Sequence, residues 1–381
     1  MFLKSISFSY RPTNVTGWKI ENFIFNSINL IAGKNASGKT RLLKAIQTLA
    51  RVLSSNELKA EDNITVYWHI TLENKLNEEI IYELEYTNNI VLREELKINE
   101  KIKLSRGPDG KGFIWFDELE KNVEFEVEKN KIIAVSKRDK KQHPFLENLF
   151  RWSNNVFLYQ FGTQLGRESL YSLKTDLETF LQDDDNLEQI EKDDETAGIK
   201  LEIGNKKDAS FKEKILRDFN SIGYSVTEIG VAHYRDVQVD SPYAPNALYV
   251  IEQGFVDKIF QNEISQGMFR VLSLIIQVNY LELKLNEHST ILIDDIGEGL
   301  DFERSTNLIK LLIKKAENLK DKIQLVMTTN DRFVMNNVPL DYWTVIDKID
   351  GNINFYCKKT HPEVFERFED IGLNNFDFFS G

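Results

Sequence analysis

The sequence predicts an α/β chain: a mixed core sheet with an antiparallel β-subdomain and a helical insertion. An apolar strand pattern passes through a glycine-rich loop into an amphipathic helix between Phe23 and Ile46. Two further apolar runs, Ser289–Asp295 and Leu325–Asp331, each end in polar or acidic residues. From Ile64 to about Phe150, apolar and polar residues alternate with period two, the pattern of half-buried antiparallel strands.

The first element is Phe23-Ile24-Phe25 followed by Ile28-Asn29-Leu30-Ile31-Ala32, which reads as a buried strand. Residues Gly33-Lys34-Asn35-Ala36-Ser37-Gly38-Lys39-Thr40 complete the pattern G-x-x-x-x-G-K-[ST], and Arg41 to Ile46 opens a helix. Glycines at 33 and 38 let backbone N–H groups wrap phosphates, and the helix N-terminus adds a favourable dipole. Gly33, Asn35, Ala36, Ser37, Gly38 and Arg41 form the expected cradle. Lys39 reaches the β- and γ-phosphates, and the Thr40 hydroxyl suits Mg²⁺. The pattern implies a bound nucleoside triphosphate.

Val66–Ile70, Ile80–Glu85 and Ile90–Leu96 are the clearest strands of the β-subdomain, separated by Asn, Gly and Lys turns. Val156–Gln160 reads as a strand returning to the nucleotide. Residues 166–262 form the insertion, with helical spacing in Leu173–Leu181 and Phe211–Phe219. Between these lie Gly198, Gly204 and the acidic run Asp183–Glu195, whose eight carboxylates suit an exposed helix end or a mobile loop. The basic run Lys137-Arg138-Asp139-Lys140-Lys141 reads as a solvated loop. The expected division is therefore 1–165, 166–262 and 263–381.

In the last part, Ile264-Ser265-Gln266-Gly267-Met268-Phe269-Arg270 precedes a helical pattern from Val271 to Leu283. Ser289–Asp295 follows as a strand ending in two carboxylates: Asp294 suits the Mg²⁺ shell, and Asp295 suits orientation of an attacking water. Glu298, a few residues on, is the alternative base. After Leu300-Asp301 comes the strand Leu325–Thr329, ending at Asn330.

Composition narrows the remaining choices. Cys357 is the only cysteine, so an intramolecular disulfide and a CxxC metal site are excluded. The five histidines are dispersed without ligand spacing. No run approaches the roughly 20 apolar residues that span a bilayer, and Met1–Ser5 lacks the apolar stretch of a secretory signal. A cytoplasmic protein without membrane partners is expected. The net charge of −12 excludes a general basic coat for nucleic acid.

Together these motifs resemble the AAA-15/AAA-21 type ABC ATPases of bacteria, relatives of RecF-like, SMC-like and overcoming-lysogenisation-defect heads. The resemblance extends to about Asn337 and identifies Ser265-Gln266-Gly267 as the signature, in its S-x-G-x-x-R form. It implies ATP and Mg²⁺ as cofactors, slow hydrolysis, and head-to-tail self-association in which each phosphate loop faces the partner's signature. It further implies that Gln160, or Gln164, senses Mg²⁺, and that Asn330 stands where a histidine is usual. Asparagine donates a hydrogen bond there but carries no proton charge. Asp295 likewise replaces the commoner glutamate. Members include ATPase subunits of antiviral defence systems, so a separate effector, a nuclease or toxin, is the expected partner. The alternatives are a DNA-repair head that clamps nucleic acid and a scaffold that binds ATP without hydrolysing it.

Overall fold

The chain begins with β1 (Phe2–Pro12) and β2 (Trp18–Ile24), and β3 (Ile28–Ala32) then leads into the glycine-rich loop and the helix Lys39–Ser55. In this computed structural model every residue is described except 14–16, 56–57, 59–62, 172–183, 235–244, 285–287, 350–351, 370–373 and 377–381. The single strand expected from Phe23 to Ala32 is divided by a turn. The Asn29 side chain accepts from Asn26 N–H at 2.7 Å and donates to Asn26 C=O at 2.8 Å, which stabilises the turn. Only Ile28–Ala32 enters the loop.

The meander follows as β4 (Ile64–Glu73), β5 (Glu79–Thr87), β6 (Ile90–Ile98), β7 (Lys101–Arg106), β8 (Lys111–Phe116) and β9 (Lys121–Glu126). After the helix Pro144–Asn154 come β10 (Val156–Gln160), then β11 (Val226–His233), β12 (Asn246–Glu252) and β13 (Ile259–Phe260). The last strands are β14 (Ser289–Asp294), β15 (Ile323–Thr329), β16 (Trp343–Ile349) and β17 (Asn352–Cys357). One sheet of 14 strands runs β10-β14-β15-β3-β16-β17-β2-β1-β4-β5-β6-β7-β8-β9. From β10 to β16 neighbouring strands are parallel, and from β1 to β9 they are antiparallel. This is the mixed α/β architecture expected.

Alternation along the parallel strands creates three layers. Leu30, Ile291, Ile293, Leu325 and Met327 face one apolar core, shared with the helices Gln266–Leu283 and Phe302–Asn318. Ile31, Leu292 and Val326 face the other, shared with Lys39–Ser55 and the β-subdomain. The helix Gln266–Leu283 is buried at every position from Met268 to Leu281, the mark of a core helix.

Residues 166–262 contain the helices Asp184–Lys192, Ala197–Lys207 and Phe211–Ser221, and also the separate sheet β11-β12-β13. Gly198 and Gly204, read as separators, lie inside a helix. A Cβ at Gly204 would stand 2.2 Å from the Phe211 ring, and one at Gly198 2.9 Å from Tyr171, so close ring packing explains both. The acidic run becomes helical from Asp184, and Asp194 turns inward to accept from Gln160 N–H at 3.4 Å. The basic run at Lys137–Lys141 is exposed. The helix expected over Leu173–Leu181 lies outside the described residues, as does most of Ile371–Phe379. Of that tail Phe376 packs against the first core, and Asn375 donates to Val338 C=O at 2.7 Å.

Gln324 joins the parallel half to the chain's first strand. Its Nε2 donates to Leu3 C=O at 2.8 Å and Asn26 C=O at 3.0 Å, and its Oε1 accepts from Leu3 N–H at 3.0 Å. Gln324→Leu strands the buried Leu3 N–H and C=O, while Asn26 C=O keeps its bond from Asn29. Urea denaturation should show a loss of roughly 2–4 kcal/mol; an unchanged midpoint would remove this clamp from the account.

Candidate functional site

The parallel strands β14, β15 and β3 end together, and their carboxyl ends carry the polar residues. Beyond Ala32 the loop needs small residues at two places. A Cβ at Gly33 would lie 2.5 Å from Ser37 Oγ and 2.7 Å from Ile346 C=O. At Gly38, where φ is +107°, a Cβ would lie 2.4 Å from Ile353 Cδ1. Ala36 also takes a left-handed φ of 64°. Leu42 N–H donates to Gly38 C=O at 3.0 Å, so the helix hydrogen bonds begin within the loop.

Lys39 curls back over this loop. Its Nζ donates to Gly33 C=O at 2.6 Å and Lys34 C=O at 3.2 Å. Burial lowers its pKa, opposed by the nearby Asp295 and Asp294 carboxylates. The Ser37 hydroxyl is buried without a partner. Beside them lies a cavity of about 360 Å³ lined by Asn35, Ala36, Ser37, Gly38, Lys39, Thr40, Arg41, Asp295, Asn330 and Lys348. An unpartnered hydroxyl, an ammonium held only by carbonyls and a cationic lining fit a polyphosphate.

Asp294 ends β14 almost fully buried, and one oxygen, Oδ1, receives two hydroxyls. Thr40 donates to it at 3.1 Å from the loop helix, and Thr328 donates at 2.6 Å from β15. Thr328 Oγ1 in turn accepts from Asp295 N–H at 2.9 Å. Asp295 has a φ of 54°, a left-handed conformation that aspartate tolerates better than most residues. Burial raises its pKa, and Asp294 raises it further, against the Lys39 charge. Among the described residues no group of three or more His, Cys, Asp or Glu side chains gathers to hold a metal. Thr40 and Asp294 fit the sparse protein ligation of Mg²⁺, which takes its other ligands from phosphate and water.

The remaining candidates occupy three positions. Asn330 and Asp295 line the cavity with Lys39. Gln160 pairs in register with Asp294, but neither it nor Gln164 lines the cavity, and Gln164 is exposed. Glu298 is exposed outside the cavity lining, its carboxylate packed beside Gly162, where a Cβ would stand 2.5 Å from Oε2.

Ser265, Gln266 and Gly267 are also outside the cavity lining. Ser265 caps the buried helix by accepting from Met268 N–H at 3.4 Å, and both Ser265 and Gln266 are exposed. One turn on, the nearly buried Arg270 donates to Thr163 C=O at 2.7 Å, Gly162 C=O at 2.8 Å and Glu298 C=O at 3.1 Å. The cap is thereby tied to the loops after β10 and β14. Reading the sequence missed the bridging role of Thr328, the clasp made by Arg270 and the presence of Lys348. A threonine ending an apolar strand beside the acidic one was the available signal for the first.

Residues 28–336 match the protein family described as "AAA domain, putative AbiEii toxin, Type IV TA system". No curated protein matches the chain. In fold the chain is similar to an SMC head bound to the C-winged helix domain of ScpA, with a TM-score of 0.51 at 12% identity, covering 94% of this chain and 99% of that one. It is also similar to an SMC head with an extended coiled coil bound to the C-terminal domain of ScpA from Pyrococcus furiosus. There the TM-score is 0.50 at 13% identity, covering 97% of this chain and 99% of that one.

Thr328→Val preserves shape and removes both hydrogen bonds at the Asp294–Asp295 junction. Steady-state assays should show ATP turnover falling about tenfold or more while ATP still binds, since bonds to a charged group are worth about 1.5–3 kcal/mol. Native turnover in this variant would contradict the bridging role.

Proposed function

The chain belongs to this AAA-domain family of P-loop ATPases, and we propose that it hydrolyses ATP slowly as a cytoplasmic head-to-tail homodimer that switches a separately encoded effector. The observation that carries the reading is the exposed Ser265 cap, standing outside its own chain's cavity yet fastened through Arg270 to that cavity's flanking loops. A second copy supplies the missing signature to each phosphate loop under this reading. The solved SMC heads are bound to a domain of another protein, ScpA, and the family description names a toxin–antitoxin setting. The bound ScpA domains favour a protein as the partner, and the toxin–antitoxin wording favours a toxin among the candidate effectors. The net charge of −12 favours this over a DNA clamp.

Mg²⁺, when bound, would neutralise phosphate charge and stabilise the leaving group. The chain's own contributions follow from the geometry. Lys39 exchanges its two carbonyl partners for phosphate oxygens as nucleotide enters. Thr40 and Asp294, hydrogen-bonded to each other at 3.1 Å, would hold the Mg²⁺ ion. Asp295, fixed through its backbone N–H by Thr328, accepts a proton from water and aims it in line. Asn330 donates a hydrogen bond toward the terminal phosphate, and the partner's Ser265 and the helix N-terminus behind it complete the charge stabilisation.

Ser265→Arg places a cation where the partner's γ-phosphate belongs. Turnover should disappear while ATP binding by the single chain persists. Mixing this variant with inactive Lys39→Ala should restore activity, because one composite site then has an intact loop facing an intact signature. Full activity of Ser265→Arg alone, or failure of the mixture to recover, would defeat the head-to-tail arrangement.

A further inference from the structure

The C-terminal hairpin β16–β17 is drawn against the glycine-rich loop more closely than sheet pairing requires. Strand β16 pairs with β3 only through Trp343, Thr344 and Val345, the last opposite Ala32. Beyond that point β3 becomes the loop, yet β16 continues to Ile349 alongside it. Ile346 crowds Gly33, and Ile353 of β17 crowds Gly38. Because side chains alternate along a strand, Lys348 shares the face of buried Ile346, and it lines the cavity together with Lys39, Arg41 and Asp295. The lining therefore carries three cations against one carboxylate. Among the described residues no carboxylate forms an ion pair with the Lys348 ammonium.

Strand order fixes which end of the ligand Lys348 faces. Across the sheet the sequence is β14, β15, β3, β16. The Thr40–Asp294 pair, Asp295 and Asn330 thus stand at or toward the β14–β15 flank of the loop, and Lys348 stands on the opposite flank. A nucleotide with its terminal phosphate beside Asp294 and Asp295 presents its α-phosphate end to Lys348.

We propose that Lys348 is a nucleotide-binding residue supplied by the C-terminal hairpin, pairing with the α-phosphate end of a nucleoside di- or triphosphate. This rests on reading the cavity as the nucleotide site. It makes the hairpin part of the binding apparatus, so that a segment beyond the glycine-rich loop and the strands β14 and β15 contributes affinity without touching the reacting phosphate.

Calorimetry with ATP and with ADP, on the full chain, tests it. Lys348→Ala should weaken both nucleotides about tenfold, the scale of one charge-assisted hydrogen bond. KM for ATP should rise by the same factor, with kcat changed less than twofold. Lys348→Arg should recover most of the affinity, and Lys348→Glu should lose more than the alanine variant. Thermal unfolding of the free proteins should coincide, because Lys348 is exposed. Equal ATP and ADP affinity in native and Lys348→Ala protein overturns the proposal while leaving the cavity's assignment intact. A loss confined to ATP overturns the placement at the α-phosphate end. Lys39→Ala is the control and should lose both nucleotides; if the native protein itself binds neither, the ATP reading fails and the proposal with it.

Discussion

The nucleotide end of this chain depends on one buried carboxylate. Asp294 Oδ1 receives hydroxyls from Thr40 and Thr328, which belong to the loop helix and to β15. Three elements distant in sequence are thereby held at one point. The contact serves assembly, because a buried carboxylate without donors carries a large desolvation penalty. It also bears on the proposed chemistry, because the same oxygen and the Thr40 hydroxyl are the groups that would hold Mg²⁺ under that proposal. Thr328 extends the arrangement by one step, fixing the Asp295 backbone and hence the second carboxylate.

The buried helix Gln266–Leu283 anchors the loops at this end to the core. Its core position leaves its polar side chains few directions to turn, and Arg270 spends its donors on three carbonyls of the flanking loops. Farther along, Gln277 accepts from the buried Lys200 ammonium at 2.9 Å and donates to Asp194 C=O at 2.8 Å. Lys200 and Asp194 of the segment 166–262 are thus tied into the same framework, and the inward-turned Asp194 reaches the end of β10.

The parts legible in the sequence were those fixed by local pattern. Gly33–Thr40 has a spacing that phosphate binding demands, and Asp294-Asp295 ends an apolar run whose burial is complete in the fold. The period-two segments between Ile64 and Ile98 became β4 to β6 because alternation alone decides which face is buried. What the sequence hid were contacts set by packing partners distant along the chain. Gly204 looks like a helix breaker until Phe211 is seen against it. The strands β11 and β12 lie among helices, and pairing within the sheet β11-β12-β13 selects them. Thr328 and Lys348 are ordinary residues until the strand order places them on either side of the loop.

The most direct test of an ATP-driven dimer is light scattering of Asp295→Asn with ATP, alongside its turnover. Loss of the proton acceptor should slow hydrolysis by about 10²-fold or more. Removal of a negative charge beside Asp294 and the triphosphate should hold or raise affinity. The head-to-tail dimer should therefore accumulate with ATP and not with ADP. If Asp295→Asn hydrolysed ATP at the native rate and stayed monomeric, neither the water-orienting role nor the head-to-tail arrangement would stand.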